Sequence, residues 1–270
     1  MIWKCRDKKI AYGDGKILVM GIINVTPDSF SDGGNWLDSK KAVAHALELE
    51  LQGADILDFG AQSTRPGYTE ISPEEEWARL EPVLTEIRNK TDLPISVDTY
   101  FSYVAEKCAA AGVDIINDVS GVIAPDMANA VKNSGCGWII MHNGAGRCAD
   151  VKKFFIDSLA QCEKLGVDTD CICLDMGIGI GFGKDVDDNL DLLANVKEYK
   201  IDGYPLLLGT SRKRVIAACS GQSDPIQRVY GNIAADTAAI LGGADIIRIH
   251  DVKNEKQGIL MAQEIAKWTR

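Results

Sequence analysis

The sequence has no surplus of basic residues. Its 29 Lys and Arg residues stand against 39 Asp and Glu residues, which gives a formal net charge of −10 at pH 7. A protein that binds nucleic acid or an anionic membrane through its overall charge needs the opposite balance. We therefore expect no nucleic-acid partner and no membrane partner, although a local group of Arg and Lys side chains would suffice for a small anionic substrate.

Long apolar segments are also absent from the sequence. No run of about 18 apolar residues occurs, so no transmembrane helix is expected. Residues 1–16 lack the apolar core of a signal peptide. The eight cysteines include no C-x-x-C pair, so zinc ligation is not expected. We predict that they are small buried side chains in a cytoplasmic protein, with Cys171 and Cys173 on one face of a strand.

A glycine-rich stretch, DMGIGIGFGK at residues 175–184, suggests a phosphate-binding loop, but its spacing fits neither of two common kinds. A P-loop needs a first glycine where Ile178 stands, and a Ser or Thr where Asp185 stands. The dinucleotide-binding pattern G-x-G-x-x-G fails because the glycines of this stretch alternate strictly. The role of the stretch therefore depends on the rest of the chain.

Short runs rich in Val, Ile and Leu recur along the chain, and most are apolar throughout. This is typical of parallel strands that are buried on both faces. The predicted strands are 18–24, 56–59, 94–98, 115–117, 138–141, 171–175, 205–208 and 246–249.

Amphipathic segments lie between these strands, and the clearest predicted helices are 40–52, 73–89 and 101–111. The second of these has Ser72 as N-cap and Pro73 at its first position. Eight strands alternating with helices fit a (β/α)8 TIM barrel better than a doubly wound sheet. We predict one α/β barrel domain over residues 1–270, with a short N-terminal hairpin at 10–17 that plugs its bottom.

Polar residues follow every predicted strand. An active site in such a barrel lies at the carboxyl ends of the strands. Each residue alone has an ordinary structural explanation, such as a helix cap or a hydrogen-bonded core histidine. Helix capping does not readily explain polar residues at all eight strand ends. One polar residue at each end, in chain order, is Asn24, Arg65, Asp98, Asn117, His142, Asp175, Lys213 and His250.

The chemistry of these residues predicts a ligand with two halves. Asp98, Asn117 and Asp175 offer acceptors to a flat heterocycle with several N–H donors, such as a 2-amino-4-oxo ring, and Lys213 can meet the ring carbonyl and ring nitrogen. The other half, a diphosphate with Mg²⁺, suits Asn24 as the metal ligand together with Arg65, Arg248 and His250.

The glycine-rich stretch is then a loop that follows Asp175, and the aspartate at its front carries the binding function. Phe182 is predicted to stack near the substrate. Lys184 fits a solvated surface lysine as well as a substrate contact.

Seven stretches resemble the dihydropteroate synthase family closely, in family order and along nearly the whole chain: MGIINVTPDSFSDGG, DFGAQSTRPG, ISVDTY, IINDVSG, GIGFGK, LLGTSRKR and RIHDV. The resemblance implies the condensation of 6-hydroxymethyl-7,8-dihydropterin diphosphate with 4-aminobenzoate. The products are 7,8-dihydropteroate, on the route to folate, and diphosphate. The resemblance also implies a homodimer and sensitivity to sulfonamides.

Family residues map onto this chain position by position. Those that match Asp98, Asn117, Asp175 and Lys213 bind the pterin, and those that match Asn24, Arg65, Arg248 and His250 hold diphosphate and magnesium. Family residues that match Thr64, Pro66 and Ser211 border the aminobenzoate site. Met141 stands at the position where the family also has methionine. Two stretches depart from the pattern: Met176 replaces a proline before two extra residues, and Asn143 opens an altered fifth loop.

The predicted chemistry is a loose, dissociative displacement in which diphosphate leaves first and the neutral aniline nitrogen attacks second. Arg65, Arg248 and His250 are predicted as catalytic residues, with Asp98 and Lys213 on the ring. A pterin-binding methyltransferase acting on methyltetrahydrofolate and a corrinoid protein is the alternative, but it has no use for STRPG or Ser-Arg-Lys. A catalytically silent pterin-binding protein would be expected to lose Arg65 or Lys213.

Overall fold

Eight parallel strands form a closed barrel in the computed structural model, which describes residues 1–25, 35–62, 70–179 and 183–268. The strands follow one another around the barrel in chain order, and the last pairs with the first. They are β3 (Leu18–Asn24), β4 (Ile56–Gly60), β5 (Ile95–Asp98), β6 (Ile115–Asp118), β7 (Gly137–Met141), β8 (Ile172–Asp175), β9 (Leu206–Leu208) and β10 (Ile246–Ile249). All eight predicted strands are confirmed, with each boundary within one residue.

Helices connect the strands, as a TIM barrel requires. They are α1 (Asn35–Leu51), α2 (Pro73–Ile87), α3 (Ser102–Ala110), α4 (Pro125–Ser134), α5 (Cys148–Leu165), α6 (Val186–Ala194), α7 (Val196–Tyr199), α8 (Arg214–Ser220), α9 (Val229–Leu241) and α10 (Val252–Ala266). The predicted start of α2 is confirmed: the Ser72 side chain accepts a hydrogen bond from the Glu75 N–H at 3.2 Å. Within the described ranges, no helix has the length and apolar character needed to cross a membrane.

The N-terminal hairpin exists, but its predicted position at residues 10–17 is wrong. It consists of β1 (Ile2–Cys5) and β2 (Lys8–Ala11), and the segment around Gly13 makes a single bridge to Lys16. The turn lacks the glycine that usually marks a hairpin; Arg6 takes the left-handed conformation instead, with φ of 56°. The backbone N–H of Arg6 donates to the Gly135 carbonyl at 2.7 Å, which ties the turn to the barrel.

The hairpin closes the barrel from below. Trp3 is fully buried, and its indole N–H donates to the Cys171 carbonyl at 2.7 Å. The hairpin residues pack against one apolar layer inside the barrel, whose members are Leu18, Met20, Ile56, Ile115, Ile139, Cys173, Leu207 and Ile246. The opposite end of the barrel interior is therefore the end that remains for a ligand.

The cysteines largely follow the prediction. Six are buried, Cys148 is half-buried and Cys219 is exposed, and all eight are free thiols. Cys173 lies in β8, but Cys171 ends the 3-10 helix Thr169–Cys171 before that strand, so the prediction that both lie on one strand face is wrong for Cys171. Both are buried, and burial raises the pKa of the Cys171 thiol to about 12.

Candidate active site

One layer of residues above the apolar layer forms a cavity at the carboxyl ends of the strands. Side chains alternate between the two faces of a strand, so the residue two positions after each apolar interior residue also faces inward. Ile115 leads in this way to Asn117, Cys173 to Asp175, and Ile246 to Arg248. The cavity is lined by Asp98, Asn117, Val119, Met141, Asp175, Ile178, Gly209, Lys213 and Arg248.

An arginine held between two aspartates occupies one side of this layer. Arg248 donates through Nε to Asp58 at 2.7 Å, and its Nη2 lies 2.6 Å from Asp58 and 3.0 Å from Asp98. Asp58 is fully buried, and Asn117 donates to its Oδ2 at 3.4 Å. Burial raises the pKa of Asp98 to about 7, and the Arg248 charge opposes this shift. The acid Asp58 thus holds the guanidinium in place before any ligand arrives.

Asp175 and Lys213 occupy the other side of the layer. One carboxylate oxygen of Asp175 accepts the Gly177 N–H at 2.8 Å, and the Lys213 ammonium donates to the Ile178 carbonyl at 2.6 Å. Burial raises the pKa of Asp175, and the Lys213 charge is among the causes that lower it again. The first residues of the glycine-rich loop therefore orient both groups. The backbone of this loop also lies close to the loop after β7, the fifth loop of the barrel.

Gly177 shows why this loop needs glycine. It has φ of 66°, and a Cβ at this position would lie 2.0 Å from the His142 carbonyl oxygen. No other residue type fits that approach without moving the backbone. The loops after β7 and β8 therefore pack directly on each other, and the His142 N–H donates to the Asp175 carbonyl at 2.8 Å.

Lys184 is not a surface lysine. It is 3% exposed, and its ammonium donates to the His142 carbonyl at 3.3 Å. Burial lowers the pKa of Lys184 to about 8, and burial also lowers the pKa of His142 to about 4. The alternative of a solvated surface lysine is therefore wrong. A buried hydrogen bond from Lys184 connects the loop after β8 to the loop after β7, the fifth loop of the barrel.

The loop after β9, which is the seventh loop of the barrel, contacts the end of β10 through Ser211. The Ser211 hydroxyl lies 3.1 Å from Nδ1 of His250 and accepts the His250 N–H at 3.2 Å. Ser211 is buried, and Arg212, which follows it, has φ of 60°. Asn24, at the end of β3, is half-buried.

The predicted site residues divide into three groups by position. The cavity brings together Asp98, Asn117, Met141, Asp175, Lys213 and Arg248. The sequence groups Arg248 with the diphosphate half, whereas the fold places it in the same cavity as the predicted ring contacts. Asn24, Ser211 and His250 lie at the strand ends beside the cavity, outside its described lining. Thr64, Arg65, Pro66 and Phe182 lie outside the described residues.

Sequence reasoning missed Asp58 and the apolar lining residues Val119 and Ile178. Asp58 carried a usable signal: it is a charged residue within the strand run ILDFG, two positions after the inward-facing Ile56. A charge on the inner face of a barrel strand is expected only where it is paired or binds a ligand.

Comparisons with known proteins agree with this geometry. Residues 20–250 match the family model described as pterin binding enzyme. A dihydropteroate synthase from Neisseria meningitidis serogroup B is 39% identical over 268 residues, which cover 93% of each chain. The Xanthomonas albilineans dihydropteroate synthase solved with 4-aminobenzoic acid is 39% identical, with a TM-score of 0.87 and 93% of each chain covered.

A second Xanthomonas albilineans dihydropteroate synthase structure, in complex with 7,8-dihydropteroate, is 36% identical with a TM-score of 0.88, and 98% of each chain is covered. Identity above one third over nearly the full length of both chains, on the same barrel, leaves no other family assignment. The chain belongs to the dihydropteroate synthases within the pterin binding enzyme family.

Proposed function

We propose that the chain condenses 6-hydroxymethyl-7,8-dihydropterin diphosphate with 4-aminobenzoate, giving 7,8-dihydropteroate and diphosphate in folate biosynthesis. The observation that carries the proposal is the polar layer of the barrel interior. It places two acids, an amide and a lysine around one cavity, in a chain that belongs to this family of transferases.

The ring is bound by complementarity of donors and acceptors. An amino-pyrimidinone edge offers N–H groups, and the carboxylates of Asp98 and Asp175 and the amide of Asn117 accept them. Lys213 supplies the donor for the ring carbonyl. Met141 and Ile178 give the cavity apolar walls for the flat faces of the ring.

Mg²⁺ is proposed at Asn24. An amide oxygen is a hard ligand, and Mg²⁺ commonly takes one or two protein oxygens together with substrate phosphates and water. The half-buried amide at the carboxyl end of β3 fits such a site. Among the described residues, no group of three or more His, Cys, Asp or Glu side chains could hold a metal ion. When bound, Mg²⁺ would neutralise charge on the departing diphosphate.

The protein's part in the reaction is to hold charges rather than to move protons. The bond between the pterin methylene carbon and the diphosphate oxygen breaks, and the bond to the aniline nitrogen then forms. Arg248, His250 and Arg65 are proposed to stabilise the charge that develops on diphosphate. The neutral aniline nitrogen is nucleophilic, so no strong general base is required, and its proton passes to solvent.

A turnover assay with both substrates, with and without Mg²⁺, tests the proposal. The expected result is magnesium-dependent release of diphosphate with formation of dihydropteroate. Pterin binding without turnover would instead indicate a silent binding protein. Methyl transfer from methyltetrahydrofolate without diphosphate release would indicate the methyltransferase, and either result would overturn the proposal.

A homodimer is proposed through the outer faces of α9 and α10. Tyr230 of α9 is 86% exposed, Met261 of α10 is 61% exposed and Trp268, two residues after the end of α10, is 86% exposed. A lone barrel would leave these apolar side chains in water. An apolar strip of this kind is typical of a protein interface. Sedimentation should give the mass of two chains, and Met261→Glu should shift the measured mass toward that of one chain.

The cytoplasmic location and inhibition by sulfonamides, as aminobenzoate mimics, stay predictions.

A further inference from the structure

Two carboxyl groups lie buried side by side behind the seventh loop. Asp236 of α9 and Glu255 of α10 are each 1% exposed. A side-chain hydrogen bond between the two is among the causes that shift the pKa of each. Neither belongs to the cavity lining, and the chemistry described above makes no use of them.

The pair is connected to the turn that carries Ser211 and Lys213. Thr210 donates its hydroxyl proton to Oδ1 of Asp236. Asn232 bridges the same parts: it donates to Oε1 of Glu255 at 3.2 Å and accepts the Arg212 N–H at 3.2 Å. The turn itself is closed by the Lys213 N–H, which donates to the Thr210 carbonyl at 3.1 Å.

The geometry of the turn makes this support important. Arg212 has φ of 60°, a conformation that costs an ordinary residue free energy and persists only where neighbours hold it. Its carbonyl accepts from the buried Arg228 at 2.7 Å. The hydrogen bonds that the turn donates to Asn232 and Asp236 thus fix it in the conformation that places the Lys213 side chain in the cavity.

The charge state of the pair decides whether these contacts persist. Oδ2 of Asp236 and Oε2 of Glu255 are buried, and neither has a hydrogen-bond donor among the described residues. Burial raises the pKa of Asp236; burial first, and the Asp236 charge second, raise the pKa of Glu255 to about 8. One retained proton placed between the two orphan oxygens would satisfy both and leave a single negative charge.

We propose that Asp236 and Glu255 share one proton, and that this acid pair positions the turn Thr210–Lys213 for pterin binding. Loss of the proton leaves two carboxylates in contact, which drives α9 and α10 apart and loosens the turn. The consequence for pterin affinity rests on the proposed function, whereas the shared proton and the fixed turn do not.

The neighbours of the pair set the direction of the pH effect. Thr210 and Asn232 are neutral, and Asp251, at the N-cap of α10, adds negative charge near Glu255. In the described part of the chain, no cation appears among the causes of either shift. The proton is therefore held below the raised pKa and lost above it, so the turn is ordered at neutral pH and loosens on the alkaline side.

The test compares the wild-type protein with Glu255→Gln on both sides of pH 8. A glutamine amide can donate to Asp236 and accept from Asn232 at every pH, so it imitates the singly protonated pair. Calorimetry with the dihydropterin diphosphate should show wild-type affinity falling by up to about tenfold per pH unit above the raised pKa. Amide exchange at residues 211–213 should accelerate in parallel, and both alkaline changes should disappear in Glu255→Gln.

Asp245→Asn is the matched control. Asp245 is also a buried acid, but it lies at the opposite ends of the strands, where it accepts the Leu206 N–H at 2.9 Å. This variant should lose stability and keep the alkaline changes. If the changes persist in Glu255→Gln, another group titrates, such as Lys213 or Lys184, whose pKa values burial lowers, and the inference is overturned.

Two measurements keep the inference testable if Glu255→Gln does not fold or if the substrate does not bind. Asp236→Asn offers the same amide donor from the other helix and should abolish the same exchange change. Infrared difference spectra of the wild-type protein should contain a protonated carboxyl band at neutral pH that either variant removes. Absence of that removable band would overturn the shared proton. Its presence without pterin turnover would leave the pair intact and count against the proposed function.

Discussion

Lys213→Met tests the ring half of the site most directly. Methionine keeps most of the aliphatic stem and removes the ammonium that donates to the Ile178 carbonyl at 2.6 Å. The same charge lowers the pKa of Asp175. The variant therefore loses a donor for the ring carbonyl and also weakens the acid that accepts from the ring.

The expected loss follows from these contacts. A hydrogen bond to a charged group contributes about 1.5–3 kcal/mol, so affinity for the dihydropterin diphosphate should fall roughly 10- to 150-fold. A second effect should depend on pH. Without Lys213 the pKa of Asp175 rises further above its usual value, and its carboxylate is lost at a higher pH than in the wild-type protein. The affinity ratio between the two proteins should therefore grow as pH falls.

Isothermal calorimetry at several pH values measures both effects, and thermal unfolding checks that the barrel persists. Lys200→Met is the control, because Lys200 pairs with Asp245 at the other end of the strands, 3.0 Å away. It should lower the melting temperature without changing pterin affinity. Unchanged affinity in Lys213→Met would remove this lysine from the site, and a loss independent of pH would refute its coupling to Asp175.

Three further results are expected. Asp175→Asn should weaken pterin binding by about 1–3 kcal/mol in calorimetry, because an amide must turn one donor toward a ring donor; normal binding would mean that another acid contacts the ring. Trp3→Ala should lower the free energy of unfolding by about 3–5 kcal/mol in urea titrations, because it leaves a cavity where the hairpin packs against the barrel interior. A smaller loss would show that the hairpin is dispensable for stability. Aminobenzoate should bind more tightly by about 1–3 kcal/mol when magnesium diphosphate is present. The Gly-, Pro- and Ser-rich first and second loops are predicted to complete the aminobenzoate site only after diphosphate has bound. Equal affinities with and without magnesium diphosphate would mean a preformed pocket.

The barrel and the polar lining of its cavity could be predicted from sequence because both depend on short-range patterns. Apolar runs buried on both faces mark the strands, and the carboxyl ends of parallel strands meet at one end of a barrel. Asp98, Asn117 and Asp175 each end or nearly end such a run. Their convergence on one cavity then follows from topology, without knowledge of side-chain geometry.

The remaining features depend on contacts between residues far apart in the chain. The ion pair of Asp58 with Arg248 joins positions 190 residues apart, and nothing local marks the two as partners. The hairpin was misplaced because a glycine-containing segment looked more like a turn than Arg6 does. Burial of Lys184 depends on the fifth loop lying over it, and that loop departs from the family pattern.

The ion pairs of Arg248 bear on how one barrel can serve both halves of the ligand. Its Nε and Nη2 donate to Asp58 and Asp98, while Nη1 donates no hydrogen bond to any residue that the structure describes. Taking a guanidinium out of water costs free energy, and here two acids offset that cost before the ligand arrives. An arginine oriented in advance stabilises developing charge without reorganising during the reaction. Arg248 can thus stay fixed beside the acids of the cavity and keep Nη1 available for the proposed contact with diphosphate, so its position in the cavity and its predicted role in the diphosphate half are compatible.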